Sequence, residues 1–167
     1  MGKRVLFMVL GVLLFFGCVS APPKSEDLLL FSPEGSGFSI LLPGTPEYKT
    51  EAYTNGSAEF VSHIYTFDEG YASYLVSYMD YPDAVLEADP QVVLNGYRDG
   101  AVANVKGKLF SEKVITLNGY PGKEFTIVIG TQYMYTKVYL VNKRLYSVMA
   151  MGQGYRQVVD SFNLTET

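Results

Sequence analysis

The sequence predicts an α+β fold, in which an antiparallel β-sheet of about six strands is flanked by helices on both faces. Three observations lead to this prediction. Apolar and polar residues alternate with a period of two over most of the chain beyond residue 27, which is typical of strands. Most of the alternating segments come in pairs joined by short connections suited to hairpins. Two further segments have the apolar spacing of helices that pack on a sheet.

The predicted strands follow in chain order. The first is a short apolar strand, residues 38–42, which ends at the Pro-Gly-Thr-Pro string of residues 43–46. The others form three hairpins, which join residues 59–67 to 71–79, 109–117 to 123–129, and 132–141 to 144–151. The last hairpin has a two-residue connection, and a connection of this length fixes the pairing register.

This last hairpin can therefore be paired residue by residue. If Val141 pairs with Arg144, the cross-strand partners are Tyr139 with Tyr146, Leu140 with Leu145, Tyr135 with Ala150, and Met134 with Met151. Both faces of the hairpin then carry apolar side chains. An antiparallel sheet with one face in water would alternate more cleanly, so we expect this sheet to be covered on both sides.

Two segments are expected to supply the helical covers. Asp89-Pro90 is a favourable N-cap and first-turn pair. The apolar residues that follow it lie on one helical face: Leu94, Tyr97, Ala101 and Val105. Gly96 and Gly100 each cost this helix about 1 kcal/mol relative to alanine, and their spacing either permits close approach to the sheet or frays the helix. A shorter helix is predicted over residues 153–162, with Tyr155, Val158, Val159 and Phe162 facing inward.

The composition excludes several classes of protein. Charged residues make up 18% of the 167 residues and hydrophobic residues 48%, which excludes an intrinsically disordered chain. The net charge of −4 lacks the basic excess of a nucleic-acid-binding protein, so no nucleic-acid partner is expected. A single cysteine excludes an internal disulfide, and a single histidine excludes the common multi-histidine metal centres.

The first residues are predicted to export the chain. Lys3 and Arg4 precede an apolar run, residues 5–16, which as a helix reaches only about 18 Å and is too short to span a bilayer. A short basic start followed by such a run is typical of an export signal. The string Leu14-Phe15-Phe16-Gly17-Cys18 resembles the lipobox of bacterial lipoproteins, which implies cleavage before the cysteine, diacylglycerol on its thiol and acylation of its new amino group.

These features divide the chain into three parts. We expect a signal peptide at residues 1–17, a tether at residues 18–27 and a single domain at residues 28–167. Lipid on Cys18 would then anchor the domain to a membrane of the bacterial cell envelope. The alternative is an ordinary secretory signal, cut after Ala21, in which the cysteine is incidental.

Four strings in the predicted domain carry a family resemblance. They are GFSILLP at residues 37–43, GYPGKEF at 119–125, YLVNKRLY at 139–146 and SFNL at 161–164. Together with the order of elements, they resemble the PsbP-like superfamily, which includes the bacterial DcrB-like lipoproteins. The resemblance covers residues 28–164 and implies an antiparallel sheet between helices. It also implies a mostly non-enzymatic role, and no active-site residue of that superfamily can be transferred to this chain.

The sequence carries no recognisable catalytic constellation. His63 is the one plausible general base near neutral pH, but it lies on a predicted strand and no nucleophile motif accompanies it. We expect it to be structural, the chain not to be an enzyme, and no cofactor to be bound. Asp80, Asp83 and Glu87 form a dense acidic stretch that matches no EF-hand. We expect these acids to be solvated in a loop, and the alternative is a weak cation site formed by the same three residues.

Three tyrosines provide the candidate binding surface. Tyr133, Tyr135 and Tyr139 share one face of a predicted strand, where they would line a groove for a peptide, a glycan or a lipid. Alternatively, they pair across strands and pack under a helix. The leading hypothesis is a membrane-tethered, non-catalytic accessory or binding lipoprotein with a protein partner in the envelope. The second is a carrier that holds a small hydrophobic ligand between helix and sheet, and the third is an enzyme with an unrecognised site.

Overall fold

The structure is a computed structural model that describes residues 28–55, 58–152 and 154–165. Within these ranges the chain forms ten strands, two α-helices and one 3₁₀-helix. The strands are β1 (Leu29–Phe31), β2 (Phe38–Leu42), β3 (Glu47–Asn55), β4 (Ala58–Asp68), β5 (Ala72–Asp80), β6 (Lys108–Leu117), β7 (Tyr120–Ile129), β8 (Gln132–Val141), β9 (Arg144–Gly152) and β10 (Asn163–Leu164). The helices are α1 (Pro90–Asn104), α2 (Tyr155–Asp160) and the 3₁₀-helix (Asp83–Glu87).

The strands form two antiparallel sheets. Seven strands make the main sheet, in the order β3-β4-β5-β9-β8-β7-β6, and three make a small sheet, in the order β1-β2-β10. The prediction of a sheet of about six strands flanked by helices on both faces is therefore wrong. The molecule is mostly antiparallel β-structure with only two α-helices among the described residues. The physical reason is that β2 does not join the main sheet but pairs with β1 and β10 to build a second sheet.

The small sheet and α2 cover one face of the main sheet. Phe38, Ile40 and Leu42 of β2 are almost completely buried there, together with Val158 of α2, against the aromatic and β-branched side chains of β5 and β9. A second layer of strands together with one short helix therefore covers this face.

The opposite face of the main sheet is covered by α1. Leu94 is fully buried there against Phe125, Ile127 and Val138 of the sheet. The N-cap prediction is confirmed, because the Asp89 carboxylate accepts a hydrogen bond of 2.8 Å from the backbone N–H of the second helical residue. The helix continues through both of its glycines to Asn104, so these glycines do not end it.

The predicted register of the last hairpin is confirmed. Val141 pairs with Arg144 in the β8–β9 ladder, and the other predicted pairs follow from it: Tyr139 with Tyr146, Leu140 with Leu145, Tyr135 with Ala150, and Met134 with Met151. The preceding hairpin differs from its prediction. Its connection is two residues long, not five, because Asn118 and Gly119 both adopt positive φ angles, 50° and 84°, that suit a tight hairpin turn.

The predicted signal peptide at residues 1–17 and the tether at residues 18–27, including Cys18, lie outside the described residues. Within the part of the chain that the structure describes, neither α-helix has the length and apolar character needed to cross a bilayer.

Candidate functional site

One end of the main sheet remains open on the face that the small sheet and α2 cover. There a groove of about 410 Å³ lies over the ends of β6, β7 and β8 and beside α2. Its aromatic lining consists of Phe110, Tyr133, Tyr135 and Tyr155, and we call it the aromatic groove. Its polar lining includes Ser111, Glu124, Thr126, Lys137, Arg156 and Asp160.

Aromatic rings in contact with one another form the wall of this groove. Phe110 meets Tyr133 edge to face at a centroid distance of 5.4 Å, and Tyr133 stacks on Tyr135 at 6.5 Å. Tyr135 in turn lies parallel to Tyr155 of α2 at 3.5 Å. A hydrogen bond with Tyr155 raises the pKa of Tyr135, so its hydroxyl stays protonated at neutral pH. The wall therefore presents flat apolar faces together with hydroxyl groups.

A β-bulge brings Phe110 into the aromatic groove. The β6–β7 register shifts between Leu109, which pairs with Ile127, and Ser111, which pairs with Thr126. Phe110 is the extra residue, and a bulge of this kind re-aims a side chain. Its side chain is 66% exposed. Sequence reasoning missed this residue, because strict alternation has no position for an inserted one.

The charged side of the aromatic groove is largely neutralised by internal ion pairs. Lys137 donates a hydrogen bond of 2.5 Å to Asp160, and its ammonium nitrogen lies 4.0 Å from Glu124. Glu124 also pairs with Lys113 of the edge strand at 3.0 Å. Arg156 lies over the ring of Tyr155, 5.6 Å from its centroid. This balance favours an aromatic or apolar contact surface over an ion-binding one.

The structure separates the three tyrosines of the predicted binding surface. Tyr133 and Tyr135 line the aromatic groove, whereas Tyr139 is buried and stacks on Phe162 at a centroid distance of 5.7 Å. Burial raises the pKa of Tyr139 to about 12, so its hydroxyl remains neutral. Tyr139 is therefore a core residue, although it shares a strand face with the other two.

His63 lies in a ladder of aromatic rings. Its Nδ1 atom is 2.7 Å from the hydroxyl oxygen of Tyr48, and its ring stacks on that of Tyr78 at a centroid distance of 4.5 Å. Asp80, two residues along β5 from Tyr78, accepts two hydrogen bonds from Arg144, at 2.6 and 2.7 Å. These contacts of His63 are those of a packed strand residue.

The acidic stretch does not converge on a cation. Asp80 pairs with Arg144, and Asp83 accepts a hydrogen bond of 2.8 Å from Lys143. Glu87 is exposed at the end of the 3₁₀-helix. Across the described ranges, no three His, Cys, Asp or Glu side chains are grouped closely enough to hold a metal ion. Asp80 and Asp83 instead form ion pairs, and Glu87 lies in solvent.

A second groove lies on the other face of the main sheet. It runs between α1 and strands β3, β4 and β5 and has a volume of about 580 Å³. We call it the helix–sheet groove. Its lining includes Gly96 and Gly100 of α1, and a Cβ atom built on either glycine would meet no atom within 4 Å. These glycines therefore leave open space in place of close helix–sheet contact.

Comparison with solved structures identifies the fold. The chain is similar to cyanobacterial PsbP (CyanoP) from Synechocystis sp. PCC 6803, known from a solution structure, with a TM-score of 0.55. The two sequences are 13% identical, and the match covers 89% of this chain and 96% of that chain. No protein-family model and no curated protein matches the sequence. The resemblance to PsbP-like proteins is thus confirmed for the fold, and residue roles do not transfer at this identity.

Proposed function

We propose that the protein is a membrane-tethered, non-catalytic accessory module of the bacterial cell envelope, and that it binds a protein partner through the aromatic groove. The PsbP-like fold is compatible with an accessory or binding module. The lipobox-like string that ends at Cys18 supports the tether. The exposed rings of the groove support the binding surface.

The observation that carries this proposal is the exposed pair at the open end of the aromatic groove. Phe110 and Tyr133 touch each other, yet 66% and 43% of their respective side-chain surface remains exposed. Large aromatic side chains are enriched among the residues that dominate protein–protein binding energy. Their position beside the concave surface lined by Tyr135 and Tyr155 gives a partner side chain a pocket to fill.

The tether would strengthen a weak contact of this kind. A lipid-anchored domain is confined near the bilayer, which raises its effective concentration beside a membrane-bound partner. Residues 19–27 span at most about 30 Å when extended, so the domain would work close to the membrane surface. Removing the anchor should therefore weaken function even when the folded domain is intact.

Complementation in cells that lack the chain tests the proposal. A soluble form with a plain secretory signal, and a Phe110→Ser/Tyr133→Ser double variant, should both lose most of the cellular phenotype. His63→Ala should keep it, because no catalytic step is proposed at that residue. Leu86→Ser is a matched surface control, since Leu86 is 58% exposed and lies outside the aromatic groove. Full activity of the soluble form together with loss in His63→Ala would favour a soluble enzyme instead.

The second candidate function is a carrier of a small hydrophobic ligand. The helix–sheet groove favours it, because its volume falls in the usual range of small-molecule sites, about 300–1,000 Å³. Unlike the accessory function, this one requires no protein contact at Phe110 or Tyr133. The two candidates are therefore separable by substitutions in their own grooves.

A further inference from the structure

The floor of the helix–sheet groove is largely apolar, with two serines, Ser62 and Ser77, also in its lining. Strand alternation puts Ile64, Leu75, Met79 and Met149 on the face that looks toward α1, and all four line the groove. Three of them, Leu75, Met79 and Met149, remain partly exposed instead of packing fully under the helix. When an apolar ligand removes water from partly exposed apolar side chains in a concave site, the free energy of the complex falls and binding is favoured. Methionines additionally adapt to ligands of irregular shape.

The charges that line this groove cancel each other. Lys49 and Glu51 are its two charged lining residues among those the structure describes, and they form an ion pair of 2.6 Å. Tyr53 also donates a hydrogen bond to the Glu51 carboxylate. Both side chains are largely exposed, so breaking the pair costs little, but the groove offers a charged ligand no unpaired charge to bind while its apolar residues would remove water from that charge. The lining therefore matches an uncharged ligand.

Two helical glycines keep the groove open. Gly96 and Gly100 lie one turn apart in α1, and each costs the helix about 1 kcal/mol relative to alanine. Neither has a positive φ angle, and a Cβ atom on either would meet nothing within 4 Å. Neither backbone strain nor close packing thus accounts for their presence. What they provide is space above the apolar floor.

From these three observations we propose that the helix–sheet groove binds an uncharged, predominantly apolar small molecule, which occupies the space above Gly96 and Gly100. This inference rests on the carrier function proposed above and is independent of the aromatic groove. It specifies the class of ligand and the helix positions that admit it.

Displacement of a fluorescent probe from the full-length chain tests the inference. The uncharged probe diphenylhexatriene should bind saturably, and 1-hexadecanol should displace it at least tenfold more effectively than palmitate. These two competitors share one chain length and differ in the charge of the head group. Equal displacement by palmitate would overturn the requirement for an uncharged ligand.

Substitution of the glycines locates the site. Gly100→Leu should lower the affinity for the probe at least tenfold, because the new side chain fills the groove. Gly96→Ala/Gly100→Ala is a gentler variant that should raise the melting temperature and still weaken binding. Val92→Leu is the matched control, since Val92 is 65% exposed on the same helix and does not line the groove. It should bind the probe like the wild type.

The outcomes distinguish this inference from the broader proposals. If the wild type binds no probe, both the inference and the carrier function are wrong, while the accessory function is unaffected. If the wild type binds the probe and Gly100→Leu binds it equally well, the chain is a carrier but its site lies elsewhere. A Phe110→Ser/Tyr133→Ser variant should bind the probe normally, and loss of binding there would place the ligand in the aromatic groove instead.

Discussion

The three tyrosines on one face of β8 differ in what covers them. Tyr133 and Tyr135 lie at the open end of the strand beside α2, whereas Tyr139 lies under Phe162 and the small sheet. Their shared face could be predicted from the sequence, because a strand alternates with a period of two. Their different burial could not, because it depends on where α2 stops and the small sheet begins.

This difference predicts opposite effects of truncation. Tyr139→Ala should lower the free energy of unfolding by about 3–4 kcal/mol, because it leaves a cavity in the core. Tyr133→Ala should change it by less than about 1 kcal/mol, because nearly half of that side chain is exposed. Urea denaturation of the two variants measures both values. A large loss for Tyr133→Ala would mean that the aromatic groove is structural.

Arg144 is the residue that joins the small sheet to the main sheet electrostatically. It donates two hydrogen bonds to Asp80 and two of 3.3 Å to the carbonyl oxygens of Gly35 and Ser36. Its guanidinium also lies over the ring of Tyr78, 4.7 Å from the centroid. The hydrogen bonds from Arg144 lower the pKa of the Asp80 carboxyl. Part of the stability of the fold should therefore depend on pH.

The pH dependence has a definite sign. The pKa of Asp80 is lower in the folded chain than the value of about 3.9 in an unfolded one. The ionised Asp80 therefore adds to the free energy of unfolding fully above that unfolded-state value, and this stabilisation is lost as the pH falls from there through the folded-state pKa. Asp80→Asn should cost about 0.5–1 kcal/mol near neutral pH, a modest value because Asp80 is partly exposed. The difference should shrink progressively as the pH falls below the unfolded-state pKa. Urea denaturation at a series of pH values from neutral into the acid range measures it, and an unchanged difference would show that Asp80 does not titrate there.

Among the elements, the edge strand β6 is poorly protected. It pairs only with β7 in the described part of the chain, and most of its residues are exposed, including Phe110 at 66% and Val114 at 65%. A long exposed edge with apolar side chains is prone to pair with other chains. The bulge at Phe110 and the charge of Lys113 are the features that oppose such pairing.

Removal of the charge on this edge should therefore promote association. Lys113→Val would place a β-branched residue next to Val114 and Ile115 and create a neutral, strand-forming run. Static light scattering should show more high-mass species than for the wild type at the same concentration. Lys143→Val is the matched control, because it removes another exposed, ion-paired lysine, at 50% exposure against 62% for Lys113, from a turn. Equal association of both variants would attribute the effect to net charge and not to the edge.

The elements differ in how far the sequence predicts them. Hairpins with short connections and apolar alternation, such as β8–β9, are predictable to the residue, because local pairing fixes their register. Strand β3 was missed, because its polar sequence EYKTEAYTN lies at the other edge of the main sheet and shows no apolar alternation. Strands β1 and β10 have only three and two residues, so they carry almost no local signal.

At the scale of the whole molecule, the position of β2 decides the architecture. Its apolar sequence indicated a strand correctly, but not its sheet, because its partner β1 is too short to predict and its other partner β10 is distant in sequence. The backbone N–H of Leu41 donates a hydrogen bond of 2.9 Å to the hydroxyl oxygen of Ser161, and the hydroxyl of Tyr146 donates one of 2.9 Å to the carbonyl oxygen of Ser36. No local pattern encodes contacts between such distant residues. This is why the helix-flanked sandwich was predicted and a two-sheet fold was found.

The same architecture leaves two grooves, one on each face of the main sheet. The small sheet and α2 stop short of one end of β6–β8, and α1 leaves the face of β3–β5 open. The sequence alone singled out Tyr133 and Tyr135, which line the aromatic groove, and Gly96 and Gly100, which line the helix–sheet groove. The grooves themselves could not be predicted from the sequence, because a groove is defined by where the covering elements end.

Site-specific photo-cross-linking in cells tests the central claim most directly. A photoreactive phenylalanine analogue replaces Tyr133 in the aromatic groove or, as a control of similar exposure, Tyr48 on the opposite edge strand. The account predicts one discrete protein adduct from position 133, none from position 48, and loss of the adduct when the chain is exported without its lipid anchor. The same adducts from both positions, or none from position 133, would contradict the claim that a tethered domain binds its partner through the aromatic groove.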